Sequence, residues 1–137
     1  MTVLIDTNVL LDLALKREPW FKDVVSVLRR CRASHLSFIA WHTLPTLYYV
    51  MLRNKVAETD VRHFCRDLVS WVRVASAQHS HVLNAFAFSM ADFEDALQAS
   101  VAESVSADWV LTRNIKDFEG SPVPAISPTQ FLNLSLS

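Results

Sequence analysis

Short uninterrupted apolar runs alternate along this chain with longer stretches in which apolar residues recur every three or four positions. Val3 to Ile5 is the first run, and it stops abruptly at Asp6. A run of that length fits a buried strand, and Val9, Leu10, Leu13 and Ala14 follow at helical spacing. Lys16, Arg17, Glu18 and Pro19 break that pattern, and Pro19 suits the first turn of a second helix. This helix places Trp20, Val24, Val27 and Leu28 on one face and runs to about Arg32. Leu36 to Ile39 reads as a second strand. From Ala40 to Arg53 the pattern is helical and very apolar, with Pro45 early enough to be tolerated. Thr59 and Asp60 suit the cap of a fourth helix whose inner stripe is Val61, Phe64, Cys65, Leu68, Val69 and Val72. Val72 to Val74 then reads as an edge-type third strand.

The second half repeats the alternation. Ala77 to Phe88 is helical in pattern, and Asp92 opens another helix with Phe93, Ala96, Leu97 and Val101. Asp108 to Leu111 follows as a fourth strand, Phe118 to Pro122 as a turn, and Val123 to Ile126 as a short fifth strand. Ser127-Pro128 is a cap followed by a favourable first residue for a last helix through Phe131 and Leu132. Ser135 to Ser137 are expected to fray. Strands alternating with helices predict an α/β fold, a parallel sheet with helices on both faces, with roughly seven helices to five strands. Repeats, linkers and low-complexity segments are absent from the sequence, so residues 1–137 read as one domain.

Composition narrows the function classes. A chain of 137 residues can bury about two-thirds of its unfolded surface. Its 51% hydrophobic content and single glycine, Gly120, exclude a disordered chain. The formal net charge of −1 excludes bulk attraction to nucleic acid, leaving local Lys/Arg groups or a bridging metal. Arg29, Arg30 and Arg32 cluster near the end of the second helix, where cations complement its dipole as readily as they contact RNA. Cys31 and Cys65 lack zinc or redox spacing and read as idle thiols of a reducing compartment. With no signal-peptide pattern and no run of 18 or more apolar residues, a cytoplasmic location away from membranes is expected.

Candidate chemistry gathers at strand ends. Asp6, Thr7 and Asn8 sit where the first strand turns into the first helix, the edge at which open α/β sheets bind ligands. Such a triplet can hold a cation, bind a phosphate, or cap the helix. Asp92 and Asp95, three apart, share one helix face, while Glu94 is expected to point elsewhere into solvent. The preference of acids for a first helical turn accounts for Asp92. Asp95, between Phe93 and the Ala96-Leu97 pair, needs a partner if it faces inward, and a divalent cation is one. Thr112, Arg113, Asn114 and Asp117 follow the fourth strand as Asp6, Thr7 and Asn8 follow the first. If those strands are neighbours, both loops share one crevice. Oxygen ligands converging there suit Mg²⁺ or Mn²⁺, which can activate water and neutralise a phosphodiester.

These segments resemble a PIN domain, the nuclease family that includes the toxin ribonucleases of bacterial toxin–antitoxin pairs. The likeness lies in Ile5-Asp6-Thr7-Asn8-Val9-Leu10-Leu11, in Asp92-Phe93-Glu94-Asp95-Ala96-Leu97, and in Val110-Leu111-Thr112-Arg113-Asn114-Ile115-Lys116-Asp117-Phe118. The closing stretch Ser121 to Pro128 also fits, so the similarity spans the chain. The resemblance implies a PIN-like three-layer sandwich with a five-stranded parallel sheet of order 3-2-1-4-5. It also implies an acidic Mg²⁺- or Mn²⁺-dependent site that cleaves single-stranded RNA with metal-activated water. By the same likeness Asp6 and Asp95 match metal-binding acids, and Asn114 stands where many members carry a third, with Asp117 the nearby carboxylate. Thr7, Asn8 and Thr112 match polar residues that orient ligands and waters, and Asp92 and Arg113 flank them. A cognate antitoxin and a homodimer are the implied protein partners, the apolar helices between Ala40 and Val72 offering surface for the latter.

One departure from the family pattern weakens the expected site. Members usually place an acid on the helix after the second strand, but Ala40 to Tyr49 contains no Asp or Glu. Thr46 or Thr43 takes that place, and neither is anionic. His42 there reads more readily as a capping or packing residue than as a ligand, because hard cations rarely use imidazole. Tyr48 and Tyr49 read as packing residues, and His79 and His81 as solvated or capping. Fewer negative charges lower the expected metal affinity and activity. A non-catalytic module that binds RNA or a protein is therefore the alternative. A phosphatase-like hydrolase with Asp6 as nucleophile is a third reading. Asn8 argues against it, standing where such enzymes of the haloacid dehalogenase type usually carry a second acid.

Overall fold

The computed structural model describes residues 1–134; Ser135 to Ser137, where fraying is expected, lie outside the described residues. Five strands and seven α-helices alternate among those residues. They run in the order β1 (Thr2–Ile5), α1 (Thr7–Ala14), α2 (Phe21–Ser34), β2 (Leu36–Ala40), α3 (Thr43–Arg53), α4 (Glu58–Val69), β3 (Arg73–Ala75), α5 (His79–Ala87), α6 (Phe93–Ser104), β4 (Trp109–Leu111), β5 (Ala125–Ile126) and α7 (Pro128–Leu132). A short 3₁₀ turn, Ile115–Phe118, lies between β4 and β5. The strands form one sheet of order β3-β2-β1-β4-β5, and every neighbouring pair is parallel.

Alternation along the strands builds the three layers. Val3, Ile5, Ile39, Leu111 and Ile126 face one side and pack against Val9 and Leu10 of α1, Val27 and Leu28 of α2, Leu47 of α3 and Phe131 of α7. Leu4, Ala40, Ala75 and Val110 face the other side and meet Ala99 and Ala102 of α6, with Phe118 and Val123. Near-continuous apolar strands of this kind are what a sheet covered on both faces requires.

Several boundaries differ from the sequence reading for local reasons. Pro19 is not in the first turn of α2; it precedes the helix, which starts at Phe21, and its peptide bond with Glu18 is cis. Helix α3 starts at Thr43, because Ala40 is still a strand residue paired with Ala75. Helix α4 starts at Glu58 with Ala57 as its cap, ahead of Thr59 and Asp60. The third strand is shifted by one residue, since Val72 is buried at the end of the preceding turn. The fifth shrinks to two residues: Pro124 has no amide to donate, although its carbonyl accepts from the Val110 amide at 2.9 Å. Gly120 closes the turn before it with φ +87°, and a Cβ there would lie 2.4 Å from the Ser89 carbonyl oxygen, so only glycine fits.

Candidate active site

Strand register places the first two polar groups side by side. Ile5 pairs with Leu111, and the Asp6 amide continues the ladder by donating to the Leu111 carbonyl at 2.9 Å. Ile5 and Leu111 both face α1, so the next residues, Asp6 and Thr112, turn toward α6. The Thr112 hydroxyl donates to Asp6 Oδ2 at 2.8 Å, and it accepts the Asn114 amide at 3.1 Å. Asp6 occupies the N-cap position of α1, yet its side chain makes no capping bond. Both its oxygens are taken from elsewhere: Gln98 Nε2, reaching in from α6, donates to Oδ1 at 2.8 Å.

A cavity of about 310 Å³ opens at this edge, lined by Asp6, Thr7, Asn8, Leu11, Thr46, Val50, Asp92, Glu94, Asp95 and Asp117. Four elements supply it: the start of α1, the inner face of α3, the first turn of α6 and the 3₁₀ turn after β4. Asp92 caps α6 by accepting the Asp95 amide at 3.0 Å, as its first-turn position suggests. Glu94 is exposed as expected, but it faces the shared cavity instead of pointing away. Thr46 lines the α3 wall, its hydroxyl turned back to the His42 carbonyl at 2.9 Å. Thr43 is buried behind it and bonds the Thr7 hydroxyl at 3.0 Å.

Not every sequence candidate enters this space. Arg113 lies along α1, forking onto the fully buried Asp12 with bonds of 2.8 and 3.1 Å and stacking over the Trp20 ring at 3.9 Å. Asn114 stands at the N-cap position of the 3₁₀ turn without a side-chain capping bond and is not among the lining residues, so Asp117 is the residue of that loop on the cavity wall. His42 sits at the N-cap of α3, where burial lowers its pKa against the opposing pull of Glu94. His81 accepts the Gln78 amide in a capping box, Tyr48 donates to Glu58 across α3 and α4, and exposed Tyr49 packs with Arg53. Arg30 donates to the Phe131 and Leu132 carbonyls, closing the end of α7 rather than of its own helix.

The electrostatics are those of negative charge gathered without compensation. Burial pushes Asp6 up to about 6, with Glu94 adding to the rise, while the Thr112 hydroxyl and the Thr7 and Asn8 amides pull against it. Asp95 is pushed up to about 7, first by burial and then by repulsion from Asp6, Asp92, Asp117 and Glu94. Repulsion of that kind is what a hard cation relieves, and carboxylate oxygens are its preferred donors. The donor chemistry thus fits Mg²⁺ or Mn²⁺. The side chains are not drawn in around a single point, however. Among the described residues no group of three or more His, Cys, Asp or Glu is disposed to hold a metal ion. Likewise, no helix among them is long and apolar enough to cross a membrane.

Sequence reasoning missed Gln98 and Asp12. Each had a signal: Gln98 follows Glu94 by four and Asp95 by three residues, on the face those acids present to the cavity. Asp12 stands amid Leu10, Leu11 and Leu13, where a carboxylate needs a partner.

Comparison with known proteins places the geometry. A family model described as PIN domain matches residues 2–116. No curated protein matches the sequence. Among solved structures, VapBC2 from Rickettsia felis bound to a promoter DNA fragment superposes with a TM-score of 0.74 at 18% identity, covering 93% of this chain and 98% of that one. A toxin–antitoxin complex from Klebsiella pneumoniae gives 0.70 at 21% identity, covering 92% and 97%. VapC20 from Mycobacterium tuberculosis, described as a sarcin–ricin loop cleaving toxin, gives 0.62 at 16% identity over 79% and 86%. At these identities the likeness is one of fold.

Proposed function

The chain belongs to the PIN domain family, and on that footing we propose that it is a metal-dependent endoribonuclease acting on single-stranded RNA. The observation that carries this reading is the convergence of five carboxylates on one cavity at the carboxyl edge of the sheet. Asp6, Asp95 and Asp117 would hold Mg²⁺ or Mn²⁺, and a divalent ion bound there supplies an activated water and charge neutralisation for the phosphodiester. The remaining work belongs to the chain itself. Thr112 and Gln98 fix the Asp6 carboxylate from two sides, and Asn8 lines the floor beside it. Burial and the neighbouring acids push Asp95 up to about 7, and a divalent ion held there would favour its charged form.

A toxin of a toxin–antitoxin pair is the biological setting this reading takes. The similar structures are described as toxin–antitoxin complexes, and one similar toxin as cleaving the sarcin–ricin loop. A cytoplasmic location goes with it, as do the two free cysteines. Homodimerisation is proposed through exposed apolar residues of the α3 region, Trp41, Tyr49 and Leu52, with sedimentation velocity as its test.

One observation favours a second reading. The α3 wall contributes Thr46, whose hydroxyl is engaged by its own helix, so no anionic ligand comes from that side. A non-catalytic module that binds RNA or protein is the form such a site takes if the ion is lost. Purified protein incubated with single-stranded RNA and Mg²⁺, Mn²⁺ or EDTA separates the two. EDTA-sensitive cleavage establishes the enzyme, and retention of RNA without turnover establishes the module.

A further inference from the structure

Two aspartates near the start of the chain are buried to the same degree and treated in opposite ways. Asp12 is fully buried and neutralised, by the Arg113 fork and by Arg17 at 3.8 Å. It is a strut between α1 and the loop after β4. Asp6, only 4% exposed, has no cationic partner among the described residues. Its two oxygens accept from a neutral amide and a neutral hydroxyl, Gln98 Nε2 and Thr112 Oγ1, each at 2.8 Å. Neutral donors orient a buried carboxylate without supplying the positive charge that would offset its own.

Gln98 itself is fully buried, an unusual place for an amide. Its Nε2 also reaches Thr7 Oγ1 at 3.3 Å, and Thr7 is tied to Thr43 of α3. Its Oε1 is buried with no partner. Donation alone therefore sets the orientation of this side chain, because turning the amide over would place its oxygen against the Asp6 carboxylate. The buried, unmatched acceptor is a cost that the Asp6 bond offsets.

We infer that Gln98 is a positioning residue for Asp6, fixing the plane of a metal-binding carboxylate while leaving its charge free for the ion. Asp95 lies one turn earlier on the same helix, so α6 both supplies one acid and orients another. This inference rests on the reading of Asp6 as a metal ligand.

The test is calorimetric titration of Mn²⁺ into the intact protein, with thermal unfolding followed in parallel. Gln98→Met keeps the side-chain volume and removes both N–H donors. Gln98→Asn withdraws the amide by one methylene and serves if the first variant does not fold. Either is expected to bind Mn²⁺ roughly ten- to a hundredfold more weakly, the usual effect of losing a group that orients a ligand. Val61→Ala, a truncation in the core of α4 away from the site, is the control for lost stability and is expected to bind like the unmodified protein. Binding by the Gln98 variants within about twofold of the unmodified protein overturns the inference, since an orienting partner normally costs far more. Equal weakening in Val61→Ala overturns it too, by making the effect one of general stability. If the unmodified protein takes up no Mn²⁺, the reading of Asp6 as a ligand falls and this inference falls with it.

Discussion

Asp6 and Thr112 lie 106 residues apart in sequence and are joined by a 2.8 Å hydrogen bond at the carboxyl edge of the sheet. The bond follows from register: each residue is the first beyond a paired strand position, Ile5 with Leu111, and each turns to the α6 side. Two loops that share nothing in sequence become one wall of a cavity because β1 and β4 are neighbours.

Asp6→Asn is expected to abolish metal-dependent RNA cleavage while leaving the fold intact. The amide keeps one oxygen to accept from Gln98, and its nitrogen can donate to the Thr112 hydroxyl in place of the bond it loses. Cleavage assays with Mn²⁺ beside far-ultraviolet circular dichroism check both halves. Unchanged cleavage removes Asp6 from the mechanism.

Thr46→Glu is expected to tighten Mn²⁺ binding. The residue lines the cavity on the one wall without a carboxylate, and an anionic ligand there adds charge where the site is poorest. Titration calorimetry should show weak binding by the unmodified protein and a gain of roughly tenfold in the variant, the scale of one well-placed ligand contact. Tight binding without the substitution contradicts the idea that the site is weakened.

Metal-free stability should fall as pH rises. The folded values of Asp6, about 6, and Asp95, about 7, lie above the ordinary 3.8, so the folded chain binds these protons more tightly than the unfolded chain does. For an acid raised in this way, stability declines from near the unfolded value up to the folded one and levels off beyond it. In EDTA the protein is expected to melt at lower temperature near pH 8 than near pH 5, and Asp95→Asn to narrow the difference. Melting temperatures that are flat or rise over that range contradict the electrostatic picture.

Arg113→Ala is expected to destabilise the fold by about 3 kcal/mol, because it strips the bidentate partner from a fully buried carboxylate. Arg17, at 3.8 Å and partly exposed, is a poor substitute. Urea unfolding measures the loss. Asp12→Asn should lose less, since it leaves no buried charge behind. Equal losses in the two variants contradict the strut.

The sheet was legible in the sequence wherever an apolar run ended in a polar group. Val3 to Ile5 before Asp6, and Trp109 to Leu111 before Thr112, gave both the strands and the edge where the candidate site lies. Asp92 and Asp95 were legible as a pair because helical spacing puts them on one face. Helix starts were less so: Ala57 and His42 stand at N-cap positions without any capping side-chain bond, so no cap signal marked them. Gln98 and Asp12 were hidden for a different reason. The amide donor of Gln98 and the carboxylate of Asp12 meet residues about a hundred positions away, Asp6 and Arg113, and only packing shows who the partner is.

The proposal as a whole is tested most directly by a crystal soaked in Mn²⁺ and examined by anomalous scattering. An ion in the cavity touching Asp6, Asp95 and Asp117 at about 2.1–2.3 Å, the scale of direct metal–oxygen bonds, is the result expected. A fully soaked crystal with no ion there, or with Mn²⁺ bound only at other surfaces, would contradict it.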